Sequence, residues 1–191
     1  MSSAHEIAEP RTDPGAVTRA RAGDVEAFTE LVMQHQRQIH ALAYRLTGSV
    51  TDAEDLAQET FLRAWRQLPG FRGDCAFGTW LCRIAVNLGL NWKARRERRG
   101  EVASAPDVAS EQATAVDDPA HELVEEALQR LPAEQRAAMV LTVYEGMNHA
   151  EAAHVMQCAE STVSWRVWCA RRSLRRWLAA LAPTATRRKD P

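Results

Sequence analysis

Residues 51–91 read TDAEDLAQETFLRAWRQLPGFRGDCAFGTWLCRIAVNLGLN, and this stretch decides how the rest of the chain is understood. Ala53, Leu56, Ala57, Thr60, Phe61, Ala64, Trp65 and Leu68 recur at steps of three and one, the apolar stripe of an amphipathic helix. Thr51 followed by Glu54 has capping-box spacing, so the helix is expected to start there, and Pro69-Gly70 to stop it. Its polar face carries Asp52, Asp55, Gln58, Glu59, Arg63 and Arg66.

A short loop, Phe71 to Gly78, follows, and its two aromatics, Phe71 and Phe77, are expected to lie exposed where bases can stack or insert. A second helix is expected from Thr79, with Trp80, Leu81, Ile84, Ala85 and Leu88 as its core stripe. Arg83, Asn87 and Asn91 share another face at i, i+4 spacing, and that face can meet nucleic acid. The helix runs out through Lys93, Arg95, Arg96, Arg98 and Arg99, a charge block suited to a phosphate backbone.

Outward from this stretch, a chain of 191 residues with 46% apolar and 26% charged residues is long enough for two small domains. The net charge of −1 argues against indiscriminate nucleic-acid binding, yet basic residues cluster at 93–99 and 166–176. Residues 1–15 read as a loose tail. A first helical unit then spans 16–98, with a short helix before Gly23-Asp24 and a longer one carrying Ala27, Phe28, Leu31, Val32, Ile39, Leu42, Ala43 and Leu46. His35 and His40, without partners at metal-ligand spacing, read as surface or edge-of-core imidazoles. Residues 99–118, poor in large apolar side chains and rich in Ala, Ser and acids, form a linker.

A second unit covers 119–182, ahead of a tail at 183–191. Leu123, Val124, Ala127, Leu128 and Leu131 make its first stripe, Pro132 opens a second helix closed by Gly146, and Asn148 with Glu151 caps a third. A fourth helix from about Ala159 to Leu181 has Val163, Val167, Ala170, Leu174, Leu178 and Leu181 as its buried line. A tight turn around Gln157-Cys158 before a long basic helix describes a helix-turn-helix whose second helix recognises DNA. That helix carries Ser161, Ser164, Trp165, Arg166, Trp168, Cys169, Arg171, Arg172, Arg175 and Arg176 on its outer side, with no acid between Glu160 and Asp190, a run suited to phosphates.

DAEDLAQETFLRAW, FRGDCAFGTWL and RIAVN resemble region 2 of the bacterial extracytoplasmic-function sigma factors, group IV of the sigma-70 family. LPAEQRAAMVL, NHAEAAHVM and STVSWRVWCARRSLRRWL resemble region 4 of the same family, in the right order. The resemblance implies an all-α fold of two small domains, a region 2 bundle and a region 4 helix-turn-helix, joined by a flexible linker. It implies core RNA polymerase as partner, with Asp52, Asp55, Gln58 and Glu59 on the beta-prime clamp helices and the second domain on the beta flap. Minus-ten promoter DNA would be met by Phe71, Arg83, Asn87, Asn91, Lys93, Arg95 and Arg96, with one base flipped out. Minus-thirty-five DNA would be met by Ser161, Ser164, Trp165, Arg166, Trp168, Cys169, Arg171, Arg172 and Arg175. An anti-sigma factor, membrane-anchored in such systems, would cover the polymerase-binding faces. The expected task is transcription initiation for a stress or metal-response regulon, with a leaning to cobalt or nickel resistance that no individual residue carries.

Departures from the family pattern fall where region 4 reads DNA: Gln157 replaces the turn glycine, Ser161 a glycine, Ser164 a basic residue and Trp165 a serine. Trp165 reads as an apolar contact to thymine methyls or sugars, or else as a residue packed on a neighbouring helix or covered by a partner. Four cysteines without CxxC spacing read as free thiols, and neither a signal peptide nor an apolar run of membrane-spanning length is present, so a cytoplasmic protein without membrane insertion is expected. His149 and His154 lie five apart, which is not the HExxH spacing, and there is no P-loop or Ser-His-Asp set, so no enzyme, metal or cofactor is expected. The alternative, a stand-alone helix-turn-helix transcription regulator, accounts for residues 120–182 and leaves 52–91 without a role.

Overall fold

The computed structural model describes residues 13–98 and 119–181, and among these every regular element is helical. The expected linker at 99–118, the expected tail at 183–191 and all but residues 13–15 of the expected tail at 1–15 lie outside the described residues.

The first unit begins at α1 (Pro14–Arg21), two residues ahead of the expected start, because Asp13 caps it through Gly15 N at 2.9 Å and Pro14 supplies a ready-made first turn. α2 (Val25–Thr47) is capped by Asp24, which accepts from Ala27 N at 3.0 Å, and ends on Gly48 at φ 75°, a conformation that favours glycine. α3 (Val50–Gln67) starts at Ser49, whose Oγ accepts from Asp52 N, rather than at Thr51. Both residues have the chemistry of a cap, and the chain reaches Ser49 first on leaving the Gly48 turn. After the single turn Leu68–Gly70, α4 (Phe77–Arg98) begins two residues earlier than expected.

α2, α3 and α4 pack as a three-helix bundle, with α1 laid across α2. Leu31, Ile39, Leu42, Ala53, Leu56, Ala64, Leu81 and Ala85 fill the core. Gly78 lets α4 approach α2, since a side chain there would press on the His35 ring at 3.2 Å. His35 itself is fully buried, its ring edge-on to Phe77 with centroids 5.5 Å apart, which corrects the surface or edge-of-core reading; His40 is half-buried. The physical reason is register, because His35 sits one turn from both Leu31 and Ile39 on the core stripe.

In the second unit, α5 (Pro119–Gln129) and α6 (Ala133–Met139) lead into a π-helical turn at Val140–Tyr144, and Gly146 closes it at φ 67°. α7 (His149–Met156) carries the expected capping box, with Asn148 Oδ1 accepting from Glu151 N and the Glu151 carboxylate from Asn148 N. α8 (Glu160–Leu181) buries Val163, Val167 and Ala170 against α6 and α7. The expected buried line fades beyond them: Leu174 is half-buried and Leu178 is 42% exposed, while the Leu181 side chain lies outside the described residues. At ~1.5 Å per residue the 22-residue α8 outreaches α6 and α7, which hold seven and eight residues, so its last turns have little to pack on.

The two units touch. α7 lies on α4, and α5 and α6 meet the C-terminal half of α2.

Candidate polymerase and promoter interfaces

On α3 the sequence pattern buries Ala53, Leu56, Ala57, Thr60 and Ala64. The polar face that this leaves outside has Asp55 and Gln58 exposed and Asp52 and Glu59 half-buried. Glu59 pairs with Arg63 one turn on at 2.7 Å, a surface contact of little energetic weight. This face is therefore acidic and contributes little to the core.

The loop before α4 behaves differently from expectation. Phe71 and Phe77 are 7% and 4% exposed, so they are not open platforms for bases. Phe71 stands edge-on to Phe77 at 5.9 Å and tilted on Trp80 at 5.0 Å, and Phe77 meets Trp80 at 5.6 Å. The three rings close the junction of α2 and α4, where removing their area from water outweighs leaving them bare. Beside them the Cys75 thiol is pushed up from its ordinary pKa by burial, opposed by Arg83 and aided by Asp74.

Along α4, Arg83 and Asn87 are half-buried and Asn91 is exposed. Lys93, Arg95 and Arg96 continue the helix, but their side chains lie outside the described residues. Arg83 lines a crevice of about 680 Å³ whose other wall is α7, the turn after it and the start of α8, including His154, Cys158 and Glu160. Cys82 and Val86 on the same helix are fully buried, so α4 is covered on more than its core side.

The helix-turn-helix turns at Gln157, the one non-glycine residue among the described residues with positive φ, at 52°. α8 then presents Trp165 and Trp168, 60% and 54% exposed, with Ser161, Arg171, Arg172 and Arg175 exposed and Ser164 and Cys169 half-buried. The Arg172 guanidinium lies 5.4 Å from the centre of the Trp168 ring. The exposure of Trp165 removes the packed-helix reading and leaves DNA or a partner.

Arg166 departs from its expected place among the DNA-facing residues. Its side chain is 14% exposed, pairs with Glu134 of α6 and donates to Cys158 Sγ at 3.5 Å, bracing the turn against α6. Glu134 is the acid that the reading of α8 alone missed, because it comes from another helix. His149 was missed as well: its Nδ1 lies 2.8 Å from Ser164 Oγ, a contact across fifteen residues that no local spacing announces. Among the described residues no group of three or more His, Cys, Asp or Glu is placed to hold a metal ion, and no helix is long and apolar enough to cross a membrane.

Comparison with known proteins places both halves. Residues 31–99 match the model of "Sigma-70 region 2" and residues 121–174 that of "Sigma-70, region 4". The chain is 35% identical to the RNA polymerase sigma-H factor of Pseudomonas aeruginosa, covering 88% of this chain and 95% of that one. It is 32% identical to the ECF RNA polymerase sigma-E factor of Escherichia coli K12, again over 88% and 95%. Among solved structures, CnrH in complex with the cytosolic domain of CnrY aligns over 90% of this chain and 99% of that one, with TM-score 0.68 and 29% identity. The sigma factor RpoE in complex with the anti-sigma factor NepR from Bartonella quintana aligns over 81% and 98%, with TM-score 0.69 and 27% identity. A stand-alone helix-turn-helix regulator would leave the region 2 match unexplained, whereas a single role in transcription initiation accounts for both matches and their order. The chain belongs to the extracytoplasmic-function sigma factors of the sigma-70 family.

Proposed function

We propose that this sigma factor docks on core RNA polymerase through the polar face of α3, with Asp55 and Gln58 central and Asp52 and Glu59 flanking, on the beta-prime clamp helices. Arg83, Asn87 and Asn91 of α4 then face minus-ten DNA, with Lys93, Arg95 and Arg96 following along the phosphates. Phe71 and its aromatic neighbours support that surface from beneath. The second unit rests on the beta flap and sets Ser161, Ser164, Trp165, Trp168, Cys169, Arg171, Arg172 and Arg175 against minus-thirty-five DNA. An anti-sigma factor, anchored in the membrane, restrains the protein in the cytoplasm, and release serves a stress or metal-response regulon. The sigma factor itself catalyses no reaction.

The observation that carries this reading is the outer face of α8. Two tryptophans more than half exposed, set among arginines on the second helix of a helix-turn-helix, stand outside the hydrophobic core. Groove-reading helices of this type present their N-terminal residues to base edges, which is where Ser161, Ser164 and Trp165 stand. The arginines toward the C-terminal half are then suited to position the helix on phosphates.

Co-elution with core polymerase tests the docking half. Asp55→Lys, Gln58→Lys and Glu59→Lys together should abolish holoenzyme formation while the melting temperature stays near wild type, since exposed substitutions usually change stability by under about 0.5 kcal/mol each. Loss of helical content along with binding would show that this face belongs to the fold.

A further inference from the structure

A side-chain bond joins the start of α7 to the outer side of α8. His149 is the first residue of α7, and the capping box between Asn148 and Glu151 holds its backbone from both sides. From that fixed base its ring reaches across to α8, where Nδ1 lies 2.8 Å from Ser164 Oγ. Both residues are half-buried. The other ring nitrogen, Nε2, makes no hydrogen bond among the described residues and is not a buried orphan, so it stands open to solvent.

The fold does not need this bond to hold α8 in place. Val163, Val167 and Ala170 anchor the helix against α6 and α7, and Arg166 ties it to Glu134 and Cys158. A half-buried hydrogen bond adds little to that anchoring. What it controls is the hydroxyl. A free serine has three staggered χ1 wells, and its O–H rotates besides. A partner at 2.8 Å selects one well. Whichever of the two atoms donates, the bond also uses one hydrogen-bonding capacity of the hydroxyl and sets the direction of those that remain.

The place of Ser164 gives that control a use. It lies three residues after Ser161 and four before Trp168, beside Trp165, on the side of α8 proposed to meet base edges. It also stands where the family pattern carries a basic residue. A basic side chain can only donate, and so it tells acceptor edges from donor edges unaided. A hydroxyl donates or accepts, and left free to turn it suits either kind of edge. Held from one side, it no longer does.

We propose that His149 is a positioning residue that sets promoter specificity: it holds the Ser164 hydroxyl in one orientation, so that the serine discriminates between base edges it would otherwise take alike. The inference rests on the reading of Ser164 as a minus-thirty-five contact. Holding the side chain before DNA arrives removes an ordering cost from binding. Selecting one of three wells amounts to about threefold, and fixing the hydroxyl direction as well brings the effect to roughly three- to ninefold at the base pair that Ser164 meets.

Transcription from a promoter library by isolated holoenzyme tests this. Ser164→Ala identifies the base pair, since the preference there should flatten. His149→Ala should flatten the preference at that same base pair by about three- to ninefold and leave the ranking at other positions as in wild type. The double variant should match Ser164→Ala alone, because without the hydroxyl the imidazole has nothing to hold. His149→Asn should restore most of the preference: its amide places a polar atom as many bonds from the backbone as Nδ1, with both donor and acceptor character. Thermal melts of all four variants should stay near wild type.

If Ser164→Ala flattens the preference and His149→Ala does not, the inference is overturned and the reading of Ser164 stands. A His149→Ala variant that weakens all promoters alike, with no change in ranking, makes the residue a brace of α8 and overturns the inference as well. So does a His149→Asn variant that behaves like His149→Ala, which would assign the effect to the bulk of the ring. If Ser164→Ala itself re-ranks nothing, the reading of Ser164 fails, and the role given to His149 falls with it.

Discussion

α4 and α8 are both 22-residue helices proposed to face DNA, and the fold treats them in opposite ways. α4 is walled in, with Leu81, Cys82, Ala85 and Val86 fully buried and its polar residues lying in what space remains. α8 is anchored by one line, Val163, Val167 and Ala170, and bares two tryptophans on the other side. The difference teaches which outer residues the fold requires. On the proposed reading, a substitution on α4 should be felt by stability before it is felt by DNA, and on the outer face of α8 the order should be reversed.

The largest expected effect breaks α4. Leu81→Ala removes a fully buried side chain from the bundle and should cost about 2–5 kcal/mol in a urea melt. A loss under about 0.5 kcal/mol would mean that α4 is not a core element, and the contrast with α8 would collapse. Next comes Trp165→Ser, which should leave the melt unchanged but re-rank minus-thirty-five variants by ~1–3 kcal/mol at one base pair in a promoter-library transcription assay. An untouched ranking would assign Trp165 to a protein partner. The smallest effect is Arg175→Ala, which should weaken all promoters alike and lower the salt slope by roughly one. If it re-ranks promoters instead, the division between positioning arginines and specifying residues on α8 is wrong.

What was legible in the sequence followed from local chemistry. Asn148 and Glu151 satisfy each other within one turn, so the start of α7 could be read directly, and Gly48 and Gly146 mark turns that their φ values require. The helical stripes, the order of the two units and the helix-turn-helix followed from periodicity and motif. The exposure of Phe71 and Phe77 did not, because their burial depends on α2 supplying His35 and α4 supplying Trp80 across the bundle. Arg166 was misread for the same reason, its carboxylate partner lying 32 residues away. Gln129 and Arg136 look like ordinary surface residues of a helix corner until α2 arrives to present its bare carbonyls.

The turn at Gln157 has a consequence for how this protein can change over generations. A side chain held in left-handed backbone carries a penalty of about 1–2 kcal/mol, which glycine would relieve while giving back about 0.4–1 kcal/mol through a freer unfolded chain. Glycine is therefore favoured by up to about 1.6 kcal/mol, and the hinge angle between α7 and α8 survives the exchange. A lineage can pass from glutamine to glycine there without moving α8, and on the proposed reading its promoters would be re-ranked by changes a few residues farther on, along the outer face of α8.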